Sequence, residues 1–206
     1  MGILRLAPLV VVGVLGLAGC TTSTVAGQAS SHPVLRFRPV VKDPTNGMPL
    51  MTPAQQPGAT GDTALRQDPA VATDPAKQQA AFDALDCSRP DPLHAKDDPA
   101  KPLVTCDKEG QMKYILGPSF LDAGDIRSAT AGFDQGQWVI TLKFTPSGAK
   151  TWSDYTGANV GSQVAFALDG QVQSAPMINQ RIDGDTQITG AFTEQTARDL
   201  AASLTR

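Results

Sequence analysis

Two histidines and three cysteines are the scarcest reactive side chains in this 206-residue sequence, so their placement decides which chemistry is open. His32 stands in a small, polar run over residues 20–33, and His94 lies in a Pro- and Asp-rich stretch between Cys87 and Cys106. Neither falls among the aromatic residues that mark a core. A Ser-His-Asp arrangement there has no histidine to build on. Cys-His catalysis would need a free thiol near His94. Three Cys and two His also leave little material for a zinc site. Asp183-Gly184-Asp185 resembles the start of a calcium loop but lacks the further ligands, and a polar turn accounts for it. Asp97-Asp98 reads as a solvated loop. Gly157-x-x-x-Gly161 lacks the Lys-Ser/Thr ending and the preceding strand of a phosphate loop. The expectation is a non-enzyme with no metal, no cofactor and no catalytic residue. Trp152 and Tyr155, three apart on a helix, could form a peptide-contact ledge. At helical spacing such a pair more often belongs to the core.

The third cysteine has a different role. Residues 1–20 read MGILRLAPLVVVGVLGLAGC. Arg5 is followed by an apolar run over residues 6–18, whose helix would be about 20 Å long against the ~30 Å of a bilayer core. This suits a signal peptide over residues 1–19 better than a permanent anchor. Leu17-Ala18-Gly19-Cys20 resembles the bacterial lipobox, which implies lipid modification of Cys20. An ordinary secretory signal with a chance cysteine is the alternative. Two acyl chains on Cys20 would anchor the protein stably at the extracytoplasmic face of the cell membrane. Residues 20–33 would be its polar tether. Cys87 and Cys106 are then an even pair in an oxidising compartment, and a disulfide is expected, with two free thiols as the alternative. Closing that loop would contribute about 3 kcal/mol.

The elements that position these residues follow from patterning. Net charge is only −3, so no nucleic-acid surface is implied. Leu35 and Phe37 alternate with Arg36 and Arg38, which predicts a strand over 34–41 that joins the sheet. Residues 42–80 hold six prolines and no aromatic residue, and 42–74 reads as a Pro-rich loop. Asp74-Pro75 starts a short helix, followed by the loop that the cysteines would close, over 75–109 in all. Nine of the eleven aromatic residues follow residue 110, so 110–206 reads as the compact domain. Within it, strands are expected at 112–116, 137–145, 164–168 and 186–189. Thr145-Pro146 and Thr193 open two helices, and Asp169-Gly170 marks a tight hairpin. The fold class is α+β, a mixed or antiparallel sheet with two to three helices packed on one face.

Taken together these residues resemble one family. Tyr114-Ile115-Leu116-Gly117-Pro118, Leu168-Asp169-Gly170 and Ser174-Ala175-Pro176 occur in the order found in the first large extracytoplasmic domain of SecD, an accessory subunit of the Sec translocon. The stretches 34–41 and 85–204 carry the likeness, and the actinobacterial form is nearest. That form also has a cysteine pair where Cys87 and Cys106 stand. Family members begin with a true membrane helix where this sequence has the lipobox signal. They continue into further membrane helices beyond the point where Leu204-Thr205-Arg206 closes this sequence. The expectation is therefore a head domain on a lipid tether, without the intramembrane carboxylates of the family's motor. The resemblance implies contact with Sec translocon subunits or exported polypeptides. The alternative is an envelope lipoprotein that reuses the fold for an unrelated protein or small ligand.

Overall fold

A computed structural model describes residues 33–54 and 61–204. Cys20, the signal stretch, His32 and the tether up to residue 32 lie outside the described residues. In chain order the strands are β1 (Leu35–Pro39), β2 (Met51–Pro53), β3 (Leu103–Cys106), β4 (Met112–Leu116), β5 (Leu121–Asp122), β6 (Ile126–Asp134), β7 (Gln137–Phe144), β8 (Val164–Leu168), β9 (Gln171–Ser174) and β10 (Thr186–Thr189). The α-helices are α1 (Thr63–Arg66), α2 (Pro75–Ala84), α3 (Pro146–Ala158) and α4 (Glu194–Ser203). The architecture is α+β. Its strands divide over three antiparallel sheets, ordered β5-β1-β8-β9, β10-β7-β6 and β2-β4-β3.

β1 lies in the middle of the first sheet, and its register explains both of its faces. Phe37 pairs across the ladder with Phe166, and Arg36 and Arg38 pair with Ala167 and Ala165. On the aromatic face, Phe37 is fully buried and meets Phe120, Phe144, Trp152 and Phe166 edge-on, at ring separations of 5.0–6.4 Å. Edge-to-face packing of this kind adds to the gain from burial alone. The main core forms here, between the first sheet, β7, α3 and α4, and includes Ile140, Leu142, Ile188, Ala197 and Leu200.

The opposite face is also covered. β1 runs on to Val40, which bridges Leu116 of β4, and Asp107, just past β3, bridges Val172 of β9. Strands β1, β8, β9, β3 and β4 thus close a circuit around a second core of Val40, Leu103, Leu116, Ala165, Ala167 and Val172. The two alanines leave room for the arginine stems beside them. α2 packs on neither of these cores. Its Ala81, with Leu85, Val71, Val104 and Ile115, makes a third cluster against the β2-β4-β3 sheet.

Arg38 is buried in this second layer, and its charge dictates what surrounds it. Nη1 donates to the carbonyls of Lys101 (2.8 Å) and Gly117 (2.9 Å), and Nη2 to Asp97 Oδ2 (2.6 Å) and the Asp98 carbonyl (3.1 Å). The other Asp97 oxygen accepts from Arg36 Nη1. Burial pushes the Arg38 guanidinium below its ordinary pKa, and Asp97 opposes that shift. Of the Asp97-Asp98 pair, only Asp98 keeps the solvated side chain that the sequence suggests. The Asp97 side chain is fully buried, because a buried cation needs a buried anion.

Residues 61–74 are not a free loop either. Asp62 caps α1, and Arg66, at its end, is buried. Arg66 donates through Nε to the Val104 carbonyl (2.9 Å) and through both Nη atoms to Asp91 (2.7 and 2.6 Å). Val71, in a single 3-10 turn, is also buried. The compact unit thus extends well upstream of residue 110.

Cys87 and Cys106 form a disulfide. It closes the loop that carries both Asp91 and Asp97, so one covalent bond and two arginine–carboxylate clamps fix the same segment. Asp74 caps α2 by accepting from Ala76 and Lys77, as the Asp-Pro pair predicts. Thr145 caps α3 and Thr193 caps α4. The β8–β9 turn holds Asp169 and Gly170 both at positive φ (51° and 86°), the two-residue geometry that the Asp-Gly pair favours.

Removing the carboxylate of Asp97 leaves Arg38 buried without an anion and Arg36 without its partner. Asp97→Ala is expected to cost about 3–5 kcal/mol in urea titration. The neighbouring Asp98→Ala is expected to cost under about 1 kcal/mol, because its side chain makes only an exposed pair with Lys101 and a local turn contact.

Acid should weaken the second clamp. Burial works to raise the Asp91 carboxyl, but the hydrogen bonds and charge of Arg66 outweigh it and hold the group below the usual carboxylate range. A depressed carboxylate stabilises the fold fully at neutral pH. That contribution fades as pH falls below the unfolded value, roughly 4, and through the lower folded one. The melting temperature should therefore drop below about pH 4. Asp91→Asn should be less stable at neutral pH and show a flatter acid limb.

Candidate functional site

β10 is an edge strand, paired with β7 on one side only. Facing it, the chain past β9 runs beside β8: Val164 donates to the Pro176 carbonyl (3.1 Å) and Ile178 to that of Ser162 (2.8 Å). Pro176 lacks an N–H, which suits the outer edge of a sheet. A groove of about 370 Å³ opens between these two edges. Trp152, Val164, Phe166, Met177, Ile182 and Gln187 line it. Met177 is 55% exposed at the rim, one of few large apolar side chains so exposed among the described residues. A flexible thioether there can adapt to varied apolar partners.

The wall formed by residues 179–185 is fastened to α3. Ser153 Oγ donates to Asp183 Oδ1 (2.5 Å), and Arg181 Nε donates to the same oxygen (2.7 Å). Those two contacts, that with Ser153 first, hold the Asp183 carboxyl below its usual range. The Ile182 N–H donates to Thr156 Oγ1 (3.0 Å), and Asp185 pairs with Lys143 (2.7 Å). Asp183-Gly184-Asp185 is thus a polar turn whose carboxylates tie the wall down. Among the described residues no group of three His, Cys, Asp or Glu side chains could hold a metal ion.

The structure separates the two ledge candidates. Trp152 is only 1% exposed, so it offers no projecting ledge. Its ring is taken up by the aromatic core, with Phe120 parallel at 6.3 Å and Phe37 edge-on at 5.5 Å. What remains of it forms the groove floor. Its Nε1 is buried and has no hydrogen-bond partner among the described residues. Tyr155 is half-buried and stacks on Phe120 with centroids 3.7 Å apart, and burial pushes its phenol up to about 12. Tyr155 does not line the groove. His94 is exposed in the disulfide-closed loop. Met177, Ile182 and Gln187 carried no motif in the sequence. The one available signal was Pro176 in a returning strand, which marks an edge.

Residues 101–206, slightly more than half of the chain, match the family model described as SecDF, P1 head subdomain. The chain belongs to that family. Every residue named above as lining the groove falls within the matched stretch. The SecD translocase subunit of Mycobacterium tuberculosis strain H37Rv is 45% identical over 126 residues, covering 58% of this chain and 22% of its own length. The SecD of Streptomyces coelicolor is 33% identical over 144 residues, covering 63% and 25%. This P1 head chain therefore spans about a quarter or less of the length of these relatives. A solved structure, described as a membrane component SecDF that enhances protein export, overlaps 84% of this chain and 62% of its own at 29% identity and a TM-score of 0.48. Among the described residues no helix is long and apolar enough to cross a membrane.

Proposed function

We propose that this P1 head protein is a non-enzymatic module of the cell envelope that contacts polypeptides during export. The observation that carries this reading is the P1 head match over the half of the chain that builds the groove. The relatives are named as translocase subunits, which makes Sec components or exported chains the natural partners. The contact mode is strand addition. β10 presents an unpaired edge, and the apolar floor beside it accepts alternate side chains of an extended segment. Affinity from main-chain hydrogen bonds needs little sequence specificity, which suits a module that meets many different chains. We also propose that lipid on Cys20 holds the domain at the extracytoplasmic face, with residues 20–33 as spacer.

Photocrosslinking amino acids placed at Met177 and Gln187 in living cells test the contact. Sec subunits or assorted secreted chains are the expected adducts. A single unrelated envelope protein would mean that the head fold serves another partner. The anchor is tested by fractionation. Cys20→Ala is expected to leave the membrane pellet and lose acyl label, and a variant that still pellets with label elsewhere would sink the assignment.

A further inference from the structure

The loop closed by Cys87 and Cys106 carries three basic side chains in close succession, Arg89, His94 and Lys96. All three are exposed, and none makes a side-chain hydrogen bond or ion pair among the described residues. They line one pocket of about 610 Å³, together with Pro90, Pro92 and Ala95. Asp91 is the carboxylate of that lining, but Arg66 takes both of its oxygens and the Leu93 N–H shares one of them. Asp86 feels the charge of Arg89, yet its Oδ1 is already held by the N–H and the hydroxyl of Ser88 (2.9 and 2.6 Å). The pocket is thus a cationic face on a chain of net charge −3. Its walls are fixed in advance. The disulfide closes the loop, and the Arg66–Asp91 and Arg38–Asp97 clamps hold it on either side of His94. A site held open in this way loses little freedom on binding.

The pocket adjoins the point where the chain enters the fold. The Ala95 N–H donates to the Asp169 carbonyl (2.9 Å). The same Asp169 exchanges two hydrogen bonds with Val34, accepting through Oδ1 (2.8 Å) and donating through its own N–H (2.9 Å). Val34 is where the segment from Cys20 joins the described fold, and residues 20–33 span at most about 50 Å even when fully extended. We infer that the pocket of Arg89, His94 and Lys96 binds the anionic phosphodiester headgroup of a membrane phospholipid, on the face of the domain where the tether enters. The choice of a lipid over a soluble anion rests on the proposed Cys20 anchor. The Arg89 guanidinium can grip two phosphate oxygens, Lys96 adds a compact charge and His94 an N–H. Pro90, Pro92 and Ala95 offer apolar surface to the glycerol and the first acyl carbons. Tethering to the same membrane keeps the local lipid concentration high, so a weak site is enough. A docked headgroup would hold this face of the domain toward the lipid.

The test uses the full chain in uncharged detergent with ¹³C-labelled histidine, so that only His32 and His94 give ring signals. Dihexanoyl phosphatidylglycerol is the probe, and dihexanoyl phosphatidylcholine the zwitterionic control. The anionic lipid should shift the His94 signal saturably, at a concentration about tenfold or more below that of the zwitterion. Added salt should weaken the response. Arg89→Gln together with Lys96→Gln should weaken the anionic lipid about tenfold or more. Both side chains are exposed and unpaired among the described residues, so the fold does not depend on them. No saturable His94 shift, or one that the double variant leaves unchanged, would overturn the site. Inorganic phosphate or a tetraglutamate peptide acting at lower concentration than the lipid would overturn the choice of a lipid. The acyl label on Cys20 is read separately. Label lost with the titration intact removes the anchor alone, and label present with no His94 shift removes the headgroup site alone.

Discussion

A guanidinium shut away from water must find an anion and acceptors within the protein. Arg38 sits in a strand whose other face is already filled by Phe37 and its ring of aromatic neighbours. Its own face is closed by the circuit of strands around Ala165 and Ala167. The carboxylate of Asp97 and three main-chain carbonyls, from Asp98, Lys101 and Gly117, serve the two Nη atoms, while Nε has no hydrogen-bond partner among the described residues. Those groups come from a loop and a strand end some sixty to eighty residues away, so the charge enforces a long-range arrangement that apolar contacts alone would leave loosely specified. Arg66 and Asp91 repeat the device on the same loop. The disulfide then limits where that loop can go.

This explains which parts of the molecule could be read from residue order. Elements with one buried and one exposed face announce themselves: Ile140, Leu142 and Phe144 alternate along β7, and Ala197, Leu200 and Ala201 recur along α4. The caps of α2, α3 and α4 and the Asp169-Gly170 turn were legible because they depend on neighbouring residues. β3 was not legible, because all four of its residues are buried and no alternation remains. β6 was missed for the opposite reason. Its sequence is small and polar, and it is held by β7 and α4 rather than by its own apolar content. The roles of Asp97 and Arg66 were invisible because charge partners separated by dozens of residues leave no local pattern.

The groove shows the same division. Trp152 could be singled out as an aromatic residue on a helix, but whether it projects or floors a cleft depends on β8 and on the segment past β9. Met177, Ile182 and Gln187 converge only because the edges of two sheets face each other. The wall over residues 179–185 is held by polar ties from Ser153 and Thr156, together with the packing of Ile182 against the main core. Such ties can be exchanged for water more readily than a packed core can be opened, which suits the side of a cleft that must admit something.

The position of β1 has a consequence for timing. The first described strand to leave the ribosome pairs with β5 and β8, the latter some 130 residues further along. It cannot find its place until that far partner has also been made and delivered. The contact order of this sheet is therefore high, and its closure comes late. Local hairpins such as β6–β7 can form earlier, but the first sheet stays open through most of the chain's synthesis.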